Sequence, residues 1–157
     1  MSKKKKNKTT EFLNKKASYE YFLTDHFEAG LQLQGTEIKS IRNGHVSMND
    51  SYCTFDDPST LMVRNLYIKE YEFGTNVNHL PRRPRKLLLK KQELKKLLRR
   101  VKEKGNTIVP VKLYINDRGF AKLQVALATG KKSHNKRDSI KDKDQRKEMD
   151  RIKKGAY

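Results

Sequence analysis

The sequence has very little cysteine, no long apolar run and few acidic residues, and each shortage excludes a class of protein. Cys53 is the only cysteine, so neither an internal disulfide nor a cysteine-based zinc site can form. No apolar run approaches the roughly 20 residues that a membrane helix needs. The lysines at residues 3–6 are not followed by the apolar segment of a secretory signal. We therefore expect a cytoplasmic protein without a membrane span.

The shortage of acidic residues leaves a large positive charge. Of 157 residues, 37 are Lys or Arg and 18 are Asp or Glu, which gives a net charge of +19. A highly charged surface kept for solubility explains a few surplus charges more easily than nineteen. The surplus therefore predicts a polyanionic partner. The length suits one compact domain with a tail.

The positive charge is concentrated in three regions of the chain. Residues 1–16 carry a net +6, residues 81–104 a net +10 and residues 131–157 a net +6, while the rest is close to neutral. Three basic regions on one small body indicate contact with an extended polyanion at several places. A nucleic-acid backbone fits this description, and its binding would depend steeply on salt.

Motifs that would indicate catalysis are also missing. The chain has no phosphate-binding loop of the P-loop type, no nucleophile elbow and no His-Glu-x-x-His helix. Asp56 and Asp57 lie in a predicted turn, where hydrogen bonding from side chain to backbone is their ordinary role. His79 lies in an irregular segment, where a histidine is more often a hydrogen-bonding or packing residue than a metal ligand. We expect no enzyme, no cofactor and no metal site, with a nuclease or RNA-modifying enzyme as the alternative from another class.

Two hairpins are predicted from alternating apolar residues. One pairs residues 50–55 with residues 60–68, and the other pairs residues 107–115 with residues 120–128. Residues 19–33 also alternate, which predicts a long strand with a bend or bulge at Gly30. Cys53 is expected to be a small buried hydrophobe.

Two helices are predicted between these strands. The first covers residues 35–44, with Thr36 as its cap and Asn43-Gly44 as its stop. The second covers residues 86–104, with Leu87, Leu94, Leu97, Leu98 and Val101 on one face and basic residues on the other. Binding to a membrane surface is a weaker reading of this second helix, because the core needs its apolar face.

These elements predict a mainly β protein. About six strands with inserted helices favour an OB-fold-like closed barrel, because closure removes exposed sheet edges. We expect a basic disordered arm at residues 1–12, the barrel at residues 13–130 and a basic C-terminal tail at residues 131–157. The tail has few apolar residues, which predicts disorder in isolation and helix formation against a polyanion.

Glu37 permits two interpretations, because a carboxylate repels phosphates. It either supports the start of its helix through the helix dipole, or accepts hydrogen bonds from a base edge or a 2′-hydroxyl. The pattern favours the first. Glu37 and Ser40 are expected on a face other than the core face formed by Ile38 and Ile41.

Five segments carry a resemblance to a known family. They are Asn14-Lys15-Lys16-Ala17, residues 28–42 (EAGLQLQGTEIKSIR), Asp50-Ser51-Tyr52, Arg85-Lys86-Leu87-Leu88-Leu89 and Leu127-Ala128-Thr129-Gly130-Lys131-Lys132. In this order they strongly resemble the SsrA-binding protein (small protein B) family. The resemblance implies an OB-fold-like protein that binds the tRNA-like domain of transfer-messenger RNA. It also implies delivery of that RNA to stalled ribosomes for trans-translation.

The resemblance also implies which residues act. Those expected to bind RNA are Asn14, Lys15, Lys16, Glu37, Lys39, Lys131 and Lys132. Those expected in the ribosome-binding tail are His134, Lys136, Arg137 and Ile152, with the tail in the small-subunit decoding centre and the empty mRNA channel. We also expect the protein to be a monomer. The alternative is a general OB-fold RNA-binding or ribosomal protein without a rescue role.

Overall fold

A computed structural model of the chain describes residues 10–74, 76–103, 105–131 and 145–149. The strands are β1 (Glu11–Leu13), β2 (Tyr21–Leu31), β3 (Val46–Ser47), β4 (Tyr52–Asp57), β5 (Thr60–Arg64), β6 (Tyr67–Ile68), β7 (Arg85–Leu88), β8 (Asn106–Ile115) and β9 (Ala121–Gly130). The helices inserted between them are α1 (Lys15–Glu20), α2 (Gly35–Arg42) and α3 (Lys91–Val101). Residues 145–149 are also helical, with exposed side chains.

Six strands form a closed ring. Their order is β8-β4-β5-β7-β2-β9, and β9 pairs with β8 to close the sheet on itself. β1 joins the outside of the ring through β8, and β3 pairs with β6 in a separate two-stranded sheet. The predicted mainly β, OB-fold-like closed barrel of about six strands is therefore confirmed.

The inward faces of the strands form one continuous apolar core. Leu61, Val63, Leu113 and Leu123 are completely buried in it. Cys53 is buried among the same residues, as predicted, and this burial raises the pKa of its thiol. Leu94 and Leu97 of α3 belong to this core too, so the helix covers part of the barrel with its apolar face.

The start of the predicted long strand is helical instead. The side chain of Asn14 accepts a hydrogen bond from the Ala17 amide and begins α1, so Tyr19 lies in a helix. The bulge in β2 lies between Thr24 and His26, where Asp25 has φ 46°, and not at Gly30. Gly30 has a different role, because a Cβ there would lie 3.2 Å from the Cβ of Leu88. The missing side chain lets β2 approach β7 closely.

The predicted helix at residues 86–104 begins later than expected. Residues 85–88 form β7, with Arg85 and Leu87 buried and Lys86 and Leu88 exposed. Leu87 therefore faces the core from a strand. α3 begins at Lys91 and keeps the predicted buried positions Leu94 and Leu97.

The alternation in β8 changes phase at Pro110. Register shifts between Pro110 and Lys112, so Ile108 and Leu113 both face the barrel core. Val109 instead packs outside the barrel against Ala17 of α1. In the sequence, Val109, Val111, Leu113 and Ile115 alternate and predict a single inward-facing set; that prediction is wrong, because the bulge shifts the register between Pro110 and Lys112.

The remaining helix and strand boundaries in the structure differ from the predicted ones by a few residues. Glu11 and Phe12, expected at the end of the arm, pair with β8 as part of β1. The predicted return strand at residues 60–68 is divided at Asn65, where φ is 61°, into β5 and β6. α2 ends before Gly44 as predicted, with φ 81° at that glycine. Thr36 does not cap α2, because the helix begins at Gly35 with Gln34 in the N-cap position; the Thr36 hydroxyl lies 2.9 Å from His79 Nδ1 instead.

We expect Leu97→Ala to lower the free energy of unfolding by about 2–5 kcal/mol, because it opens a cavity beneath α3. Leu97 is 1% exposed. Urea denaturation measures the change. Lys95→Ala, on the exposed face of the same helix, is the control and should change stability by less than about 0.5 kcal/mol. Equal losses for both variants would contradict the packing of α3 on the core.

Candidate nucleic-acid interface

α1 is held against the barrel by Asn14. Its Nδ2 donates to the Pro110 carbonyl at 2.8 Å, its Oδ1 accepts from the Ala17 amide at 3.3 Å, and its backbone N–H donates to the Val111 carbonyl at 2.9 Å. Asn14 is only 8% exposed. Most of its hydrogen-bonding capacity is therefore used to fix α1 on β8, and Lys15 and Lys16 project from this fixed helix.

Lys131 lies beside the same helix. Its amide donates to the Glu20 carbonyl at 2.9 Å and its Nζ donates to the Ser18 carbonyl at 3.2 Å. The ammonium also lies 5.2 Å from the ring centroid of Phe22, a side chain that is 49% exposed. The structure thus joins the end of β9 to α1 and brings Asn14, Lys15, Lys16 and Lys131 to one corner of the barrel, which we call the α1 corner.

A cleft of about 280 Å³ opens at the α1 corner. Lys16, Tyr21 and Tyr52 line it together with Asp50, whose Oδ1 lies 2.6 Å from Lys16 Nζ. The Asp50 carboxylate raises the pKa of Lys16, which remains a cation at neutral pH. Exposed lysines beside tyrosine rings suit phosphates and unstacked bases. The tyrosines were not predicted, although Tyr52 belongs to one of the recognised segments.

Glu37 and Lys39 lie on a different element, α2. Glu37 is completely buried, and its two carboxylate oxygens accept hydrogen bonds from two arginines. Arg83 Nε donates to Oε1, and Arg85 Nε donates to Oε2 at 2.7 Å. The expectation that Glu37 and Ser40 avoid the core is wrong, because both side chains are buried with Ile41. In this conformation Glu37 has no exposed surface to offer an RNA.

Glu37, Arg83 and Arg85 form a cluster, which we call the Glu37 cluster, and Arg85 is its structural residue. Its NH1 donates to the Leu66 carbonyl at 2.6 Å, and its NH2 donates to the Pro81 carbonyl at 3.1 Å. Burial lowers the pKa of the Arg85 guanidinium, and the Glu37 carboxylate opposes that shift. A guanidinium titrates far above neutral pH, so Arg85 remains charged and locks α2 to the loop before β7.

His79 and Lys39 lie near the Glu37 cluster. His79 Nε2 lies 2.9 Å from the Ile68 carbonyl, which can only accept, so Nε2 donates, and Nδ1 shares a hydrogen bond with the Thr36 hydroxyl at 2.9 Å. The hydrogen-bonding role predicted for His79 is confirmed. Lys39 is exposed, with its ammonium 5.3 Å from the ring centroid of Tyr71.

A larger groove of about 490 Å³ lies where β2, β7 and α3 meet. Lys86, Lys90 and Lys122 line it with Leu88, an apolar side chain that is 53% exposed. We call it the β7 groove. The sequence did not predict the β7 groove, because residues 86–104 were assigned to one helix. The alternation of exposed Leu88 with buried Leu87 was the signal in the sequence that could have indicated a strand there.

Two carboxylates, Glu28 and Glu93, line the β7 groove beside its three lysines. Burial and the neighbouring Glu28 carboxylate raise the pKa of Tyr114 to about 12, so this phenol remains neutral at physiological pH. Three lysines against two carboxylates leave the lining of the groove with a surplus of one positive charge.

The remaining predicted site residues lie outside the described residues. They are Lys132, His134, Lys136, Arg137 and Ile152. In the ranges that the structure does describe, no group of three His, Cys, Asp or Glu side chains could hold a metal ion. No helix in those ranges is long and apolar enough to cross a membrane.

The barrel, the α1 corner and the β7 groove define a class of protein: a small cationic β-barrel built to bind a polyanion. A family model described as "SmpB protein" matches residues 11–155. The chain belongs to the SsrA-binding protein (SmpB) family.

Individual relatives agree with the family match. The chain is 50% identical over 147 residues to the SsrA-binding protein of Flavobacterium psychrophilum, covering 94% of this chain and 97% of the relative. It is 55% identical over 139 residues to that of Phocaeicola vulgatus, covering 88% and 92%. A solved structure described as "tmRNA-SmpB: a journey to the center of the bacterial ribosome" matches with a TM-score of 0.67 and 47% identity, covering 79% of this chain and 86% of that one.

We expect Glu37→Gln to lower the free energy of unfolding by about 3–5 kcal/mol, because it leaves the buried Arg85 charge without its counter-charge. Urea denaturation monitored by circular dichroism measures the loss. Glu11→Gln is the matched control, because it removes an exposed ion pair with Lys112 at 3.1 Å. The control should lose less than about 1 kcal/mol. A loss for Glu37→Gln as small as the control's would contradict the structural role assigned to this carboxylate.

Proposed function

We propose that this protein binds the tRNA-like domain of transfer-messenger RNA and delivers it to stalled ribosomes for trans-translation. The observation that carries the proposal is the 47% identity, over 79% of the chain, to a protein solved with that RNA and the ribosome. Relatives of nearly the same length that are named for SsrA binding support it. Because a ribosome-rescue factor works where translation occurs, we assign the protein to the cytoplasm.

In this proposal the α1 corner is the main RNA-binding surface of the body. Lys15, Lys16 and Lys131 neutralise backbone phosphates, while Tyr21 and Tyr52 offer faces on which unpaired bases stack. Asn14 acts as a positioning residue, because both ends of its amide are engaged in holding α1. Lys39 adds a cation on α2.

The tail forms the second functional part. We propose that the barrel ends near Gly130 and that the chain beyond it enters the ribosome, with His134, Lys136 and Arg137 in the decoding centre. Ile152 then helps to seat a helical tail in the mRNA channel, which is empty when the mRNA has ended. A basic chain with few apolar residues orders where phosphates surround it and is excluded where mRNA already lies.

The protein acts by binding and not by catalysis in this account. It is a monomer that contributes surfaces and charge, and the RNA supplies the chemistry of translation. Incubation of labelled RNA with the pure protein tests this part, and any cleavage or change in RNA mass would favour the alternative of an RNA-processing enzyme.

We expect the purified full-length protein to bind the isolated tRNA-like domain at least 10-fold more tightly than an unrelated folded RNA of equal length. The reason is that phosphate contacts alone do not discriminate, whereas stacked bases and a defined shape do. Gel-shift titration at one fixed salt concentration measures the ratio. Equal affinity for both RNAs would support the alternative, a general RNA-binding or ribosomal protein without a rescue role.

We expect deletion of residues 132–157 to change affinity for the tRNA-like domain by less than threefold but to abolish tagging of stalled products. The deletion keeps Lys131, whose backbone amide joins the end of β9 to the Glu20 carbonyl at the end of α1. Gel shift and an in vitro trans-translation reaction measure the two effects.

A tail of shuffled sequence and the same composition is the matched control for this deletion. It keeps the charge, so restored tagging would mean that charge alone acts there. An equal collapse of RNA affinity and tagging in the deletion would contradict the division between body and tail.

A further inference from the structure

We propose that Arg83, Lys86, Gln32 and Gln34 form a phosphate-binding site for an RNA backbone, held in place by the buried carboxylate of Glu37. The inference rests on the proposed RNA-binding function and adds a contact that lies away from α1. The phosphate belongs either to the tRNA-like domain or to ribosomal RNA.

The two arginines that share Glu37 are used very differently. Each of the three nitrogens of Arg85 donates to a protein oxygen, and its side chain is completely buried. Arg83 is 26% exposed, and only its Nε makes a short bond, to Glu37. Its NH1 reaches the Pro84 carbonyl at 3.4 Å, and its NH2 has no hydrogen-bond partner among the described residues. Arg83 therefore has N–H donors left for a ligand.

The charge of the cluster is unbalanced. Two guanidinium groups share a single carboxylate, and within the described ranges neither arginine lies within 4.0 Å of another carboxylate. Arg85 alone would neutralise Glu37, so Arg83 is a surplus cation in a partly buried position. Such a position attracts an anion more strongly than an exposed lysine does, because water screens it less.

The space beside Arg83 fits that anion. A cleft of about 320 Å³ is lined by Gln32, Gln34, Arg83 and Lys86, together with Leu33, Met62 and Pro84. No acidic side chain lines it. A backbone hydrogen bond joins the two walls of the cleft, because the main-chain N–H of Gln32 donates to the Lys86 carbonyl at 3.0 Å. A guanidinium held at its Nε can present its remaining N–H groups to a phosphate, and the glutamine amides can contact a base edge or a 2′-hydroxyl.

The cleft and the β7 groove have Lys86 in common. A backbone that places one phosphate on Arg83 can therefore reach Lys86 and then Lys90 and Lys122, which line the groove together with Glu28 and Glu93. The shared lysine favours an extended polyanion over an isolated small anion.

The test compares Arg83→Ala with Arg82→Ala in the full-length protein. Arg82 is the matched control because it is the exposed neighbour, with its NH1 on Asn65 Oδ1 at 2.8 Å and its guanidinium 5.3 Å from the Tyr67 ring centroid. Filter binding to the tRNA-like domain and to purified small ribosomal subunits, each at four salt concentrations, distinguishes the two sources of phosphate.

We expect Arg83→Ala to weaken binding about 10-fold to either the tRNA-like domain or the small ribosomal subunit. The slope of log affinity against log salt for that ligand should fall by about 1. Arg83→Lys should restore the slope but only part of the affinity, because lysine keeps the positive charge but lacks the planar set of N–H donors of a guanidinium. Arg82→Ala should change affinity by less than twofold. Wild-type affinity and slope for Arg83→Ala with both RNAs, or an equal loss for Arg82→Ala, would overturn the inference.

A second variant avoids the ion-paired cluster. Gln32→Glu places a carboxylate in the cleft and should weaken the same RNA about 10-fold, whereas Gln92→Glu makes the same charge change on the exposed start of α3. Equal effects of the two substitutions would count against the site. The wild-type preference for the tRNA-like domain is measured in the same titrations, so failure of the proposed function would be seen separately.

Discussion

The organisation of this protein depends on one buried carboxylate. Glu37 projects from α2 into the core and binds Arg83 and Arg85, which lie 46 and 48 residues further along the chain. Transfer of a carboxylate and a guanidinium out of water is costly, and only good geometry with further hydrogen bonds offsets that cost. Here the Leu66 and Pro81 carbonyls complete the coordination of Arg85. The cluster therefore defines a single arrangement of α2, the loop before β7 and β7 itself.

The closed barrel converts this arrangement into a binding surface. Because every strand of the ring is paired on both sides, the ring has no free edge strand, and the ligand meets side chains instead of a sheet edge. Asn14 fixes the lysines of α1 at one corner, and Glu37 fixes Arg83 beside β7. In both places a buried polar residue, with both ends of its side-chain group engaged, determines where a cation at the surface stands. This explains how a resemblance can point to Asn14 and Glu37 although neither is well exposed.

The sequence predicted the barrel but not the residues that orient its surface. The second hairpin is clear because its apolar residues alternate over both strands, and the position of Gly44 follows from the φ that only glycine adopts readily. Leu87 was misassigned because a leucine that precedes an amphipathic helix fits both periodicities. The roles of Glu37 and Arg83 could not be deduced, since a buried ion pair between distant residues leaves no local pattern. Lys131 was found through its motif, but its bond to Ser18 depends on tertiary structure.

The most direct test of this account is a double-mutant cycle on RNA affinity with Glu37→Gln, Arg83→Ala and the combined variant, measured by filter binding in conditions where all three are folded. If Glu37 acts by holding Arg83 towards a phosphate, removal of Arg83 should cost much less affinity once Glu37 is neutral, so the two effects will not add. Fully additive losses would contradict the claim, because they would mean that the carboxylate and the arginine act on the RNA independently.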